Sequence, residues 1–128
     1  MSQGTSGAVS LVGTLAALAG SALIAGIALL SDIAGWAPAG EPTLWQQFII
    51  ITLGGLFGAF VDSCLGATVQ VVYTCPVCKK ETERHPVYTC GTETTLKRGR
   101  GWLNNDVVNA ACTLSAALVG IVFIVIRL

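Results

Sequence analysis

The chain has 128 residues, of which 53% are hydrophobic and only 11% are charged, and its mean hydropathy is +0.73. Soluble domains carry about 25% charged residues, so the composition excludes an ordinary soluble domain and indicates a protein of the lipid bilayer. The formal net charge is zero, and no nucleic-acid partner is expected.

Three apolar segments are long enough to cross a membrane, because a spanning helix needs about 20 residues. The predicted helices cover about residues 8–30, 45–72 and 105–126, and residues 73–104 form the longest loop. The expected fold class is therefore an all-α membrane protein. It is one membrane domain over residues 1–128, with three transmembrane helices and a short Cys-rich loop resembling a β-hairpin.

Small residues recur every four positions along the first predicted helix, at Gly13, Ala17, Ser21 and Ala25. In a helix this spacing places them on one face. A helix face made of small residues lets neighbouring membrane helices approach closely. Other membrane helices are therefore expected partners of this segment.

The second predicted helix carries a single charged residue, Asp62, near its middle. In a continuous helix, residues four positions apart lie nearly on one face and form a stripe that turns slowly around the helix axis. In this helix the stripe contains Gly54, Gly58, Asp62, Gly66 and Gln70. Two interpretations stay open. Either the glycines form a packing groove in which Asp62 bonds to a neighbouring helix, or the stripe lines a polar cavity in which Asp62 binds a metal or a substrate.

Basic residues are concentrated in the loop, which holds six of the seven lysines and arginines. Under the positive-inside rule this loop faces the cytosol, and the chain is a multi-pass integral membrane protein. The alternative explanation of the charge is that the loop binds a polyanion.

Cysteines in the same loop have the spacing of a metal site. Cys75, Cys78, His85 and Cys90 form the pattern C-x2-C-x6-H-x4-C, and four soft ligands so close in sequence predict a tetrahedral zinc site. A cytosolic loop argues against disulfides, which leaves free thiols as the alternative. The flanking segments are rich in β-forming residues, so a small two-stranded knuckle is expected.

The third apolar segment opens with the sequence WLNND, and its predicted helix begins at about residue 105. Asn104, Asn105 and Asp106 are residue types that cap helix N-termini, and capping alone would explain Asn105 or Asp106. Asn109 lies one turn beyond Asn105 on the same face. It is an amide inside an otherwise apolar helix, and capping does not explain it.

Three polar clusters converge on the cytosolic side in this topology. They are Gly4, Thr5, Ser6, Gly7 and Ser10; Asp62 and Gln70; and residues 104–109. A glycine-rich turn before a helix N-terminus offers amides to a phosphate. Asp62 and Asp106 would hold Mg²⁺, and the loop would bring positive charge to a lipid phosphate from Lys97, Arg98 and Arg100.

A family resemblance rests on three blocks: GTSGAVSLVGTLAALAGS at 4–21, GGLFGAFVDSCLGATVQ at 54–70 and WLNNDVVN at 102–109. In this order they resemble the signature blocks of the DUF92 family of integral membrane proteins, which includes transmembrane protein 19 and plant phytyl-phosphate kinase. The family usually has Asn or Asp where this chain has Ser6. It also has further helices, with another acidic motif, before the GTSG block, so the chain resembles a C-terminal half, a truncated or partial form.

The resemblance implies phosphoryl transfer from a nucleoside triphosphate to phytyl phosphate or a related isoprenoid phosphate. It implies Mg²⁺ on Asp62, phosphate on the amides of residues 4–7, and a lipid head group held by Asn105 and Asn109. The candidate catalytic residues are Asp62, Asn105, Asp106 and Asn109. The alternative function is a non-enzymatic membrane scaffold or assembly subunit whose small-residue faces bind partner helices.

Overall fold

The computed structural model describes residues 9–36 and 42–126. Within these ranges the helices are α1 (Leu11–Ile33), α2 (Leu44–Thr68) and α3 (Asn105–Ile126). Each is long and apolar enough to cross a membrane, with mean hydropathies of 2.0, 2.0 and 2.3. The three predicted spans are confirmed, while the predicted start of the first helix at Ala8 lies outside the described residues.

The end of α2 differs from the prediction, because the helix stops at Thr68 and not at residue 72. The backbone amides of Val69 and Gln70 both donate to the carbonyl oxygen of Leu65 at 3.0 Å, which closes the last turn. Val71 and Val72 then leave the helix and are only 3% exposed. β-branched residues pack well in strands. Because Val71 and Val72 are buried in the fold of the loop, α2 ends before them. Gln70 therefore does not continue the helical stripe through Asp62.

The loop folds into a small antiparallel sheet. Its strands, in the spatial order β2-β1-β3, are β1 (Val72–Thr74), β2 (Glu81–Thr82) and β3 (Thr95–Arg98). The central strand pairs on both sides, with Thr74 opposite Glu81 in β2 and opposite Thr95 in β3. The expected two-stranded knuckle is thus part of a three-stranded sheet, because the chain returns along β1 after the turn that carries Cys90.

The described chain divides into two compact units. The loop unit, residues 62–111, contains the end of α2, the sheet and the first turns of α3. The helix unit, residues 9–36, 42–61 and 112–126, contains α1 and the remaining parts of α2 and α3.

Glycines of α2 allow close helix packing inside the helix unit. A Cβ placed on Gly58 would lie 3.1 Å from the carbonyl oxygen of Cys112, and one on Gly54 would lie 3.3 Å from that of Ala116. A Cβ on Gly55 would collide with the side chain of Ser21 in α1. Gly54 and Gly58 therefore form a packing groove for α3, as one of the two interpretations of the stripe predicts.

The outer faces of the helices are apolar and exposed. Val12 is 77% exposed and Val125 is 73% exposed, whereas Ala25 and Ile50 are buried inside the helix unit. Large apolar side chains exposed along a spanning helix are those that lipid tails cover. The surface of the helix unit thus fits a bilayer environment.

Candidate functional site

Asp62 is the first residue of the range 62–111 that forms the loop unit, and it lies on α2 one turn after Gly58. Its side chain is half-buried. The structure gives it no ion pair among residues 9–36 and 42–126. A carboxylate on a membrane helix without a countercharge is costly unless water, a cation or a polar ligand reaches it. This is the feature of Asp62 that a packing role leaves unexplained.

Gln70 lies beyond α2 and is 3% exposed. Its Nε2 atom donates to Oε1 of Glu83 at 2.8 Å, which joins the segment after α2 to the segment after β2. The amide predicted to contact phosphate therefore has a structural bond inside the loop unit. Glu83 has no motif around it that would identify it as the partner.

The three basic residues predicted at the phosphate differ in their surroundings. Arg98 donates from Nη2 to the carbonyl oxygen of Gly66 at 3.1 Å and from Nη1 to that of Ala67. These carbonyls lie in the last turn of α2, where the helix dipole favours a cation. Lys97 forms an ion pair with Glu81, and its hydrogen bond lowers the pKa of that carboxyl group. Arg100 is exposed.

The start of α3 is capped by Asn104, whose Oδ1 atom accepts a hydrogen bond from the amide of Val107 at 3.0 Å. Asn105 and Asp106 follow in the first turn with exposed side chains, and Asn109 is exposed one turn later. Because Asn104 caps the helix, capping does not account for the other three polar residues. They lie in the same unit as Asp62.

Of the polar cluster predicted before the first helix, only Ser10 lies among the described residues, and it is the N-cap of α1. Its hydroxyl oxygen accepts from the amide of Gly13 at 3.0 Å. Ser10 belongs to the helix unit, whereas Asp62 and Gln70 belong to the loop unit. The other predicted members lie outside the described residues: Gly4, Thr5, Ser6 and Gly7.

Three cysteines of the loop come together, as the predicted metal site requires. The sulfur atoms of Cys75, Cys78 and Cys90 all lie within 4.8 Å of one another, and the Cys75 and Cys90 sulfurs are 3.4 Å apart. Cys75 is fully buried, and Cys78 and Cys90 are exposed. Three thiols this close are able to hold one metal ion.

His85 is not part of this cluster, contrary to the predicted ligand set. Its ring stacks on Tyr73 with centroids 4.4 Å apart and an interplanar angle of 10°. Its Nδ1 atom lies 3.3 Å from the hydroxyl of Thr94. The imidazole is thus held against β1 by stacking and a hydrogen bond, and the sequence spacing alone does not reveal this.

The thiols of the cluster influence one another. Hydrogen bonds with the side chain and the backbone of Thr92 lower the pKa of Cys90 to about 6. Hydrogen bonds shared with Cys90 and Cys75 raise the pKa of Cys78 to about 11. Cys90 therefore loses its proton before Cys78 does, and thiolates are the form of cysteine that binds metals.

An apolar groove lies inside the helix unit, with a volume of about 680 Å³. Small residues form much of its wall, including Ala17, Gly20, Ser21, Gly54, Gly55 and Gly120. The small face predicted for the first helix thus contributes Ala17 and Ser21 to this groove. A surface of this kind fits an apolar chain or another helix.

The family model of "Integral membrane protein DUF92" matches residues 1–117. This match includes Asp62, the cysteine loop and the polar start of α3. The chain belongs to the DUF92 family of integral membrane proteins. Neither the curated proteins nor the solved structures contain a significant match to this DUF92 chain.

Proposed function

We propose that this DUF92 chain takes part in phosphoryl transfer from a nucleoside triphosphate to phytyl phosphate or a related isoprenoid phosphate. An oxygen of the lipid monophosphate would bond to the γ-phosphorus, and the bond from that phosphorus to the β,γ-bridging oxygen would break. The products would be a lipid diphosphate and a nucleoside diphosphate. Catalysis of this kind depends mostly on positioning and charge neutralisation.

The observation that carries the proposal is the environment of Asp62. It is a half-buried carboxylate on a membrane helix, without an ion pair among residues 9–36 and 42–126, in the block D-S-x-L-G-A-T-x-Q. The exposed side chains of Asn105, Asp106 and Asn109 belong to the same compact unit. Asn105 and Asn109 would orient the lipid head group.

The carboxylate of Asp62 is a group that would bind Mg²⁺. This ion is commonly held in proteins by one or two carboxylates together with substrate phosphates and water. Asp62 would hold the ion, with Asp106 as a second carboxylate. Bound Mg²⁺ would supply neutralisation of the phosphate charge. Arg100 is exposed and would add positive charge, whereas Arg98 already binds the end of α2. Zinc in the cysteine loop would hold the loop's shape and would not touch the substrate.

We also propose that the loop faces the cytosol, because six of the seven lysines and arginines lie in it. In sealed vesicles of defined orientation, a membrane-impermeant thiol reagent with a chelator should label the loop cysteines only from the cytosolic side. Trp36→Cys, an exposed position after α1, should add a label from the opposite side. The reversed pattern would contradict this orientation.

The test of the activity uses membranes that contain the chain, labelled CTP or ATP, and phytyl or geranylgeranyl phosphate. Labelled lipid diphosphate is expected from the unchanged chain and should disappear with Asp62→Asn. Asp32→Asn is the matched control, because Asp32 is also a helix aspartate but accepts a hydrogen bond from Gln47 at 3.0 Å. Full activity of Asp62→Asn would contradict the role of this carboxylate.

A second candidate, a membrane assembly subunit, is favoured by the groove of small residues in the helix unit. In this case folded chain in lipid nanodiscs forms no diphosphate but associates through the groove. Gly20→Leu, at a position that lines the groove, should then weaken the association, and Gly26→Leu, at a position on the same helix outside the lining, should not. Native mass spectrometry distinguishes this result from a monomer that forms diphosphate.

A further inference from the structure

We infer that Cys75, Cys78 and Cys90 bind one zinc ion through three sulfur atoms, and that water takes the fourth coordination position. The inference rests on the loop unit alone and does not depend on the proposed phosphoryl transfer. It differs from the sequence prediction in its ligands, because His85 is left out.

The sulfur spacing fits a shared metal ion. Zinc binds thiolates at about 2.3 Å in tetrahedral geometry, which places neighbouring sulfurs roughly 3.8 Å apart. The Cys75 and Cys90 sulfurs are 3.4 Å apart, and all three lie within 4.8 Å. A disulfide needs a separation of about 2.05 Å, so this arrangement is nearer to shared coordination than to a covalent pair.

The first turn of the site is shaped around Cys75. The amide of Cys78 donates to the Cys75 sulfur at 3.4 Å, and the amide of Lys79 donates to the Cys75 carbonyl oxygen at 2.8 Å. Lys79 has a φ of 53°, which is uncommon for a residue with a side chain. This local fold directs the sulfurs of Cys75 and Cys78 to the same place, and an amide that donates to sulfur favours the thiolate.

The second turn presents Cys90 in a similar way. Cys90 precedes Gly91, whose φ is 79°, as Cys78 precedes Lys79. Tyr88 closes this turn by donating to the carbonyl oxygen of Thr92 at 2.9 Å, as Cys75 closes the first turn by donating to Lys80 at 3.1 Å. Val87 lies three residues before Cys90, at the position where the first turn has Cys75 three residues before Cys78. The second turn therefore supplies one sulfur where the first supplies two.

Solvent reaches the site from one side. Cys78 and Cys90 are exposed while Cys75 is buried, so a metal ion on the three sulfurs would have an open face. His85 is held by Tyr73 and Thr94, which leaves water as the fourth ligand. Thiolate sulfur selects zinc over a hard cation such as Mg²⁺. The three sulfurs bind as thiolates, so any proton that a thiol still carries goes to solvent on binding.

The experiment measures zinc in the full chain, purified in detergent without chelator, by elemental analysis and native mass spectrometry. One zinc per chain is expected. Cys75→Ser, Cys78→Ser and Cys90→Ser should each weaken zinc binding by at least about tenfold, since loss of even an outer-sphere partner costs about 10 to 100-fold. Cys64→Ser and Cys112→Ser are matched controls in the helices and should retain the metal.

His85→Ala separates this site from a four-ligand site. Retention of zinc is expected, and in Co²⁺-substituted protein the thiolate-to-metal absorption should be the same as in the unchanged chain. Loss of zinc in a His85→Ala chain that keeps its helical circular dichroism would overturn the three-sulfur assignment.

A measurement on the unchanged chain tests the zinc site even if the cysteine variants do not fold. Added Zn²⁺ should protect Cys75, Cys78 and Cys90 from alkylation while Cys64 reacts at the same rate with and without metal. Equal alkylation of the loop cysteines with and without Zn²⁺ would overturn the site. A mass lower by two hydrogen atoms, with an oxidised Cys75–Cys90 cross-link in freshly purified protein, would do so as well.

Discussion

Arg98 on β3 donates a hydrogen bond to the carbonyl oxygen of Gly66 at 3.1 Å, so the sheet caps the C-terminal end of α2. The same guanidinium also binds the carbonyl oxygen of Ala67. These oxygens have no partner inside the helix, because the last turn of a helix leaves its carbonyls unpaired. Arg98 therefore connects the loop fold to the helix that carries Asp62.

Replacing Arg98 with alanine should destabilise the loop unit. Hydrogen bonds to charged groups contribute about 1.5 to 3 kcal/mol each, and the substitution leaves the carbonyls of Gly66 and Ala67 to find other donors. Thermal unfolding in detergent should show a lower Tm for Arg98→Ala and nearly the same Tm for Arg100→Ala, because Arg100 is exposed. Equal Tm values for the two variants would show that the cap contributes nothing.

Lysine should not replace Arg98 fully. A lysine ammonium keeps the charge near the helix end but lacks the planar fork that reaches two carbonyls at once. We therefore expect Arg98→Lys to fall between the unchanged chain and Arg98→Ala in the same unfolding measurement. A Lys variant as stable as the unchanged chain would reduce the role of Arg98 to its charge.

Gly99 is expected to tolerate no side chain. Its φ is 82°, and a Cβ there would collide with the backbone of Gln70 and Val71. Gly99→Ala should lower the Tm because the backbone conformation costs about 1 kcal/mol or more and the collision separates β3 from the segment after α2. Gly101→Ala is the control, since nothing lies within 4 Å of a Cβ at that position. Similar stability of the two variants would contradict the close approach at Gly99.

The parts of this fold that the sequence predicts are those set by local patterns. Apolar runs predict the three spans because a spanning helix depends on length and composition, and the spacing of Cys75 and Cys78 predicts that their sulfurs meet. Long-range contacts leave no such signal. Arg98 binds carbonyls more than thirty positions earlier in the chain, and His85 is removed from the cysteine cluster by contacts with Tyr73 and Thr94.

Gln70→Glu should destabilise the loop unit in a pH-dependent way. The substitution replaces the amide that donates to Glu83 at 2.8 Å with a second carboxylate at a site that is 3% exposed. Burial and the like charge raise the pKa of the new carboxyl group in the folded chain. Stability is therefore lost as pH rises from the pKa of the unfolded state through the higher pKa of the folded state, and the loss is smallest in acid.

The measurement is the Tm of Gln70→Glu between mildly acidic and neutral pH. The double variant Gln70→Glu with Glu83→Gln restores one donor and one acceptor, so it should recover most of the stability at neutral pH. Failure of the second substitution to recover any stability would indicate that the Gln70–Glu83 hydrogen bond is not what the first one disrupts.

Gly58→Leu should disrupt the packing of α2 against α3 in the helix unit. A Cβ at Gly58 would lie 3.1 Å from the carbonyl oxygen of Cys112 and 3.2 Å from the Cβ of Ala116, and a leucine adds three further carbon atoms there. Overpacking of this kind costs about 1 to 3 kcal/mol, so thermal unfolding in detergent should begin at a lower temperature. Gly26→Leu places the same side chain on α1 where nothing lies within 4 Å, and it should unfold like the unchanged chain. If Gly58→Leu is as stable as Gly26→Leu, the glycines of α2 do not set the distance to α3, and the stripe through Asp62 would need an explanation other than packing.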